Sequence, residues 1–152
     1  MKKKHILIPA FLIALASIVG CSSRKDSVVL NANPAFEQNV EWQLVSIKNK
    51  KVYYEEDQPH ATLIFNPESG QINGISGCNH YFAAYRDLGN GKIEIGALGS
   101  TKMACPEAFM RLENNYYNTL AKVDGYRLGE YTLELLAGET VVLTYDKSES
   151  SN

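Results

Sequence analysis

Apolar and polar residues alternate through most of the chain after residue 40, and this predicts short β-strands. In Glu41-Trp42-Gln43-Leu44-Val45-Ser46-Ile47, the residues Trp42, Leu44 and Ile47 fall on one side, with one slip in the period. Residues 48–51 read as a basic turn, and Val52-Tyr53-Tyr54 as a resumed strand ended by Glu55-Glu56-Asp57-Gln58-Pro59. A short apolar strand over 61–65 closes at Asn66-Pro67-Glu68-Ser69-Gly70, a run of turn-forming residues. Residues 71–76 extend again, with Gly74 marking a bulge or close contact. An aromatic-rich strand follows over 80–86, then a hairpin turn over 87–91 and a clean alternation over 92–98.

The period then changes. Phe109, Leu112, Tyr116, Leu120 and Val123 recur every three or four residues, the stripe of an amphipathic helix. Pro106 suits its first position, Glu107 complements the positive end of its dipole, and Asp124-Gly125 ends it. Three more strands follow at 126–128, 132–136 and 140–145. Strands at short spacing with one helix predict an α+β fold: a mainly antiparallel curved sheet or incomplete β-barrel packed with one α-helix. The domain should span 40–146, with a frayed tail over 147–152.

The 152 residues suffice for one domain, and 45% hydrophobic with 21% charged residues is a globular composition. Lys2, Lys3 and Lys4 precede an apolar run over 6–19 that is too short to span a bilayer and reads as an export signal over 1–20. Ile18-Val19-Gly20-Cys21 resembles a bacterial lipobox. That resemblance implies cleavage before Cys21, acylation of Cys21 and attachment to a membrane through that lipid. Ser22 points to the outer membrane, facing the periplasm. The small polar residues of 21–39 then form a flexible tether. Without the signal, 12 basic residues face 17 acidic ones, a balance of −5 that argues against nucleic acid as a partner.

Gly77-Cys78-Asn79, with Tyr81-Phe82 and Tyr85 behind it, resembles the META domain family and its HslJ-like bacterial lipoproteins. So do Thr101-Lys102-Met103-Ala104-Cys105-Pro106-Glu107 and the closing strands around Thr132-Leu133-Glu134-Leu135 and Val141-Val142-Leu143-Thr144-Tyr145. Lys102, where arginine is commoner, and Ala83-Ala84 depart from the pattern. The resemblance implies a small antiparallel fold with one helix, located in the cell envelope. It implies heat or envelope stress or secretion as the setting, and no catalytic activity. The expectation is a non-enzymatic binding or structural role beside an envelope protein partner, without a cofactor. The alternatives are a small-molecule or lipid-binding module using an open barrel, or an envelope protease inhibitor.

In an oxidising envelope Cys78 and Cys105 read as one structural disulfide, worth about 3.5 kcal/mol in the chain-entropy picture. Buried free thiols remain an alternative, as does a zinc set of Cys78, His80 and Cys105 with His60. Ser76 lacks the Gly-x-Ser-x-Gly spacing and reads as a turn residue, and Glu55-Glu56-Asp57 as a solvated turn. Gly77, Asn79, Thr101, Met103 and Pro106 form the structural motif, with Asn79 and Thr101 bonding backbone groups. Tyr81, Phe82 and Tyr85 are the candidate binding face.

Overall fold

The computed structural model describes residues 36–37 and 40–148. The predicted export signal, Cys21 and the last four positions lie outside the described residues. The strands are β1 (Glu41–Ile47), β2 (Lys50–Lys51), β3 (Thr62–Asn66), β4 (Gln71–Ile75), β5 (His80–Gly89), β6 (Lys92–Ile95) and β7 (Gly99–Ser100). Helix α1 (Glu107–Leu120) follows, then β8 (Gly125–Leu128), β9 (Thr132–Ala137) and β10 (Thr140–Lys147).

All pairings are antiparallel, and the strand order is β10-β9-β8-β6-β5-β4-β3-β1. β10 also pairs with β1, from Trp42 opposite Lys147 to Ile47 opposite Leu143. The sheet therefore closes into an eight-stranded barrel, where the sequence predicts a curved or incomplete one. Closure follows from the length of β10, which bonds β9 along one edge and β1 along the other. The joint between β6 and β8 is the narrowest, with one residue pair, Lys92 opposite Gly125. The slip in the β1 pattern is a bulge between Leu44 and Ser46.

Alternation places Trp42, Leu44, Leu63, Phe65, Ile72 and Tyr81 inside, with Ile93, Leu133, Leu135 and Leu143 opposite. Phe36 joins them, its ring 4.5 Å from Phe65, 5.4 Å from Tyr85 and 5.1 Å from Tyr126. The ordered domain thus begins before the end of the predicted tether. The helix buries Tyr116 and Leu120. Tyr145 donates to Tyr116 (3.0 Å), Tyr116 and Tyr81 hydroxyls lie 2.7 Å apart, and Tyr81 donates to the Thr62 carbonyl (2.8 Å). This run of hydroxyls satisfies three buried phenols and ties α1 to β3, β5 and β10.

Four local expectations change. Val52-Tyr53-Tyr54 is not a strand; Lys50–Lys51 is, because Lys48 and Asn49 adopt left-handed φ values of 49° and 61° and turn the chain back on β1. β6 ends at Ile95, and short β7 follows instead of a continuous strand. The helix stops at Leu120, capped by Ala121. Lys147 belongs to β10, and the Ser148 N–H bonds the Glu41 carbonyl (2.9 Å), so order continues into the predicted tail.

Candidate functional site

The loop from β4 to β5 carries Ser76-Gly77-Cys78-Asn79. It is held tight by the Ser76 N–H on the Asn79 carbonyl (2.9 Å). Gly77 has φ 95° and lies beneath Leu112; a Cβ there would stand 2.9 Å from that side chain, so glycine lets the helix approach. Cys78 is bonded to Cys105, with Cα atoms 6.2 Å apart. The disulfide joins the β4–β5 loop to the residue just ahead of Pro106. Pro106 itself is the N-cap, one position earlier than the pattern predicts, and Glu107 opens the helix.

Asn79 is the hub. Its Oδ1 accepts from the Met103 N–H (2.7 Å) and the Thr101 hydroxyl (2.8 Å). Its backbone N–H donates to Glu113 Oε2 (2.9 Å) and its Nδ2 to Glu113 Oε1 (3.0 Å). Thr101 Oγ1 also accepts from the His80 N–H (3.2 Å). One buried amide therefore fastens strap 101–105 to the loop, and the loop to α1.

Glu113 is only 5% exposed. The Ser76 hydroxyl lies 2.5 Å from Glu113 Oε2 and 2.9 Å from the Asn79 carbonyl, and accepts from the Tyr117 hydroxyl (3.0 Å). No histidine is among the partners of Ser76. Burial pushes the Tyr117 hydroxyl above its ordinary value and Glu113 adds to this, against the lowering bonds with Ser76 and Ser100. No buried side-chain nitrogen or oxygen among the described residues lacks a partner.

The strap and the helix enclose an open cleft of about 300 Å³. Asn79, Thr101 and Glu113 line its inner wall, with Tyr117, Lys102, Met103 and Met110 around it. Met103 is 49% exposed there.

The structure gathers Gly77, Asn79, Thr101, Met103 and Pro106 with the disulfide, as the motif reading expects. It divides the candidate binding face. Successive residues of β5 point to opposite sides, so Tyr81 and Tyr85 are core residues while Phe82, 57% exposed, lies outside over Gly99. The zinc set is not assembled, because Cys78 and Cys105 are bonded to each other and His60 bonds Gln43 and stacks on Tyr54. Glu55, Glu56 and Asp57 are exposed. Glu113 and Tyr117 are the residues that sequence reasoning missed. Glu113 sits three positions before Tyr116 and seven before Leu120, inside the apolar stripe, and a carboxyl group in that stripe is the available signal.

A closed antiparallel barrel, one packed helix and a disulfide-bound strap define the class of domain. The META domain family matches residues 35–150, and the chain belongs to that family. A solution structure of a protein from Burkholderia xenovorans is 28% identical, with TM-score 0.58 over 73% of this chain and 83% of that one. A second solution structure is 25% identical, with TM-score 0.59 over 79% of this chain and 98% of that one. No curated protein matches the chain.

Proposed function

We propose that this META domain is anchored to the bacterial envelope by lipid on Cys21 and has a non-enzymatic binding or structural role. Its partner is an envelope protein that meets the cleft beside the strap, in the setting of stress or secretion. One observation carries the reading. Asn79, Glu113, Ser76 and Thr101 bond one another and the backbone, so the polar motif acts as a frame and leaves Lys102, Met103 and Met110 for contact. Exposed Met103, with half-buried Met110 beside it, suits a surface that adapts to a partner. A ligand inside the barrel has less support, because the rings of Phe36, Phe65, Tyr85 and Tyr126 pack together there.

The test is a photo-crosslinking residue placed at Lys102 in cells and, separately, at exposed Tyr131. A discrete adduct from position 102 and none from 131 supports the proposal. Identical products from both positions would overturn it.

A further inference from the structure

We propose that the β1–β2 hairpin is a contact for anionic phospholipid headgroups. Lys48, Lys50 and Lys51 stand together there, all exposed, in a chain whose remaining balance is acidic. They rim an open cleft of about 370 Å³ floored by Val52 and Leu112. Glu55, Glu56 and Asp57 follow in the chain but form none of its wall.

The backbone sets the three lysines on one short hairpin, where all three line the same cleft. Lys48 and Asn49 keep left-handed φ, which asparagine tolerates and lysine resists. The Lys48 N–H is fixed to the Val142 carbonyl (2.8 Å) and the Val52 N–H to the Val45 carbonyl (2.9 Å).

Tyr53 points to lipid as the source of the anion. It is 80% exposed, and Lys51 Nζ stands 5.7 Å from its ring centre. Lysines alone are enough for a soluble phosphate. A phosphate beside an apolar glycerol and acyl boundary suits lysines together with an exposed, amphipathic phenol. The hairpin lies one strand length, about 23 Å, from the start of β1. The reach to a membrane rests on the lipid anchor proposed for Cys21: the fourteen residues between Cys21 and Phe36 have an extended contour of roughly 50 Å, enough for that anchor and the hairpin to meet one membrane surface.

The full chain is partitioned onto vesicles of phosphatidylcholine alone and of phosphatidylcholine with phosphatidylglycerol. Wild type is compared with K48Q/K50Q/K51Q and with Tyr53→Ser, so Lys2, Lys3, Lys4 and the apolar run that follows them contribute equally. Each lysine is worth about fivefold at an anionic surface, so the triple variant should lose on the order of a hundredfold at low salt. Tyr53→Ser should lose part of the binding, and added salt should shrink the difference. Equal partitioning of wild type and triple variant would overturn the proposal. So would saturation of the lysines by inorganic phosphate with no preference for anionic vesicles, which would mark a soluble-phosphate site.

Discussion

Asn79 and Glu113 meet through two hydrogen bonds, the Asn79 backbone N–H on one carboxyl oxygen and its side-chain amide on the other. The same asparagine holds Met103 and Thr101 with its remaining oxygen. Asn79→Ala removes these side-chain bonds at once and leaves a buried carboxyl oxygen and a backbone N–H without partners. Stability should fall by about 3 kcal/mol, read as a lower urea midpoint at unchanged slope. A change under about 0.5 kcal/mol would mean that the hub does not bear on stability.

The disulfide and Asn79 fasten the same strap by independent means. Replacing Cys78 and Cys105 together by alanine should cost about 3.5 kcal/mol through the freed denatured chain. The folded form should keep its near-ultraviolet dichroism, because Asn79 still holds Met103. Loss of that signal at low temperature would show that the covalent bond alone fixes the strap.

Gly74 marks a close approach between β4 and β3. A Cβ at this position would lie 2.1 Å from the Thr62 carbonyl oxygen, the atom that also accepts from Tyr81. The obstacle is backbone and cannot swing away. Gly74→Ala should destabilise by about 3 kcal/mol, measured by thermal and urea unfolding, and a neutral result would contradict the register of these strands.

Alkaline pH should weaken the fold. Burial holds Tyr81, Tyr116 and Tyr145 above the ordinary phenol value and pushes Tyr54 up to about 12. Unfolded phenols lose their protons near pH 10, so above that the native state binds more protons than the unfolded one and stability falls as pH rises. The urea midpoint should show no tyrosine contribution between pH 7 and 9 and should drop above about pH 10. Tyr145→Phe should flatten that drop; an unchanged slope would remove Tyr145 as a cause.

Acylation is testable apart from the fold. Cys21→Ser should abolish fatty-acid labelling and globomycin-sensitive processing while leaving the urea midpoint of the domain unchanged. Undiminished labelling of the variant would refute the anchor.

Period-two alternation is enough to read β1 and β6, and short apolar or extended runs between turn residues are enough to read β3, β4, β9 and β10. The bulge in β1 was visible as a break in that alternation. Closure of the barrel was not, since it depends on β10 meeting β1 across about a hundred residues, a pairing that no local pattern encodes. Phe36 was hidden by its polar surroundings; a lone aromatic ring in a small polar segment carries no period. The face drawn from Tyr81, Phe82 and Tyr85 failed because adjacent strand residues cannot share a side. Gly77, Asn79 and the cysteines were legible as a motif. Their partner Glu113 was concealed among the helix's many polar residues, although its place in the stripe was on view.

The bond from Ser148 to Glu41 brings the first and last strands together at one point on the surface. The order of the strands around the ring does not depend on where the chain is cut. A circular permutant that joins residue 148 to residue 36 through a short linker and opens at Asn90-Gly91 keeps Phe36 in the core and every strand pairing described for this barrel. In such a chain, any lipid signal placed ahead of residue 91 would hold the domain by the same end of the barrel, from the wall across the ring from β1 and β10.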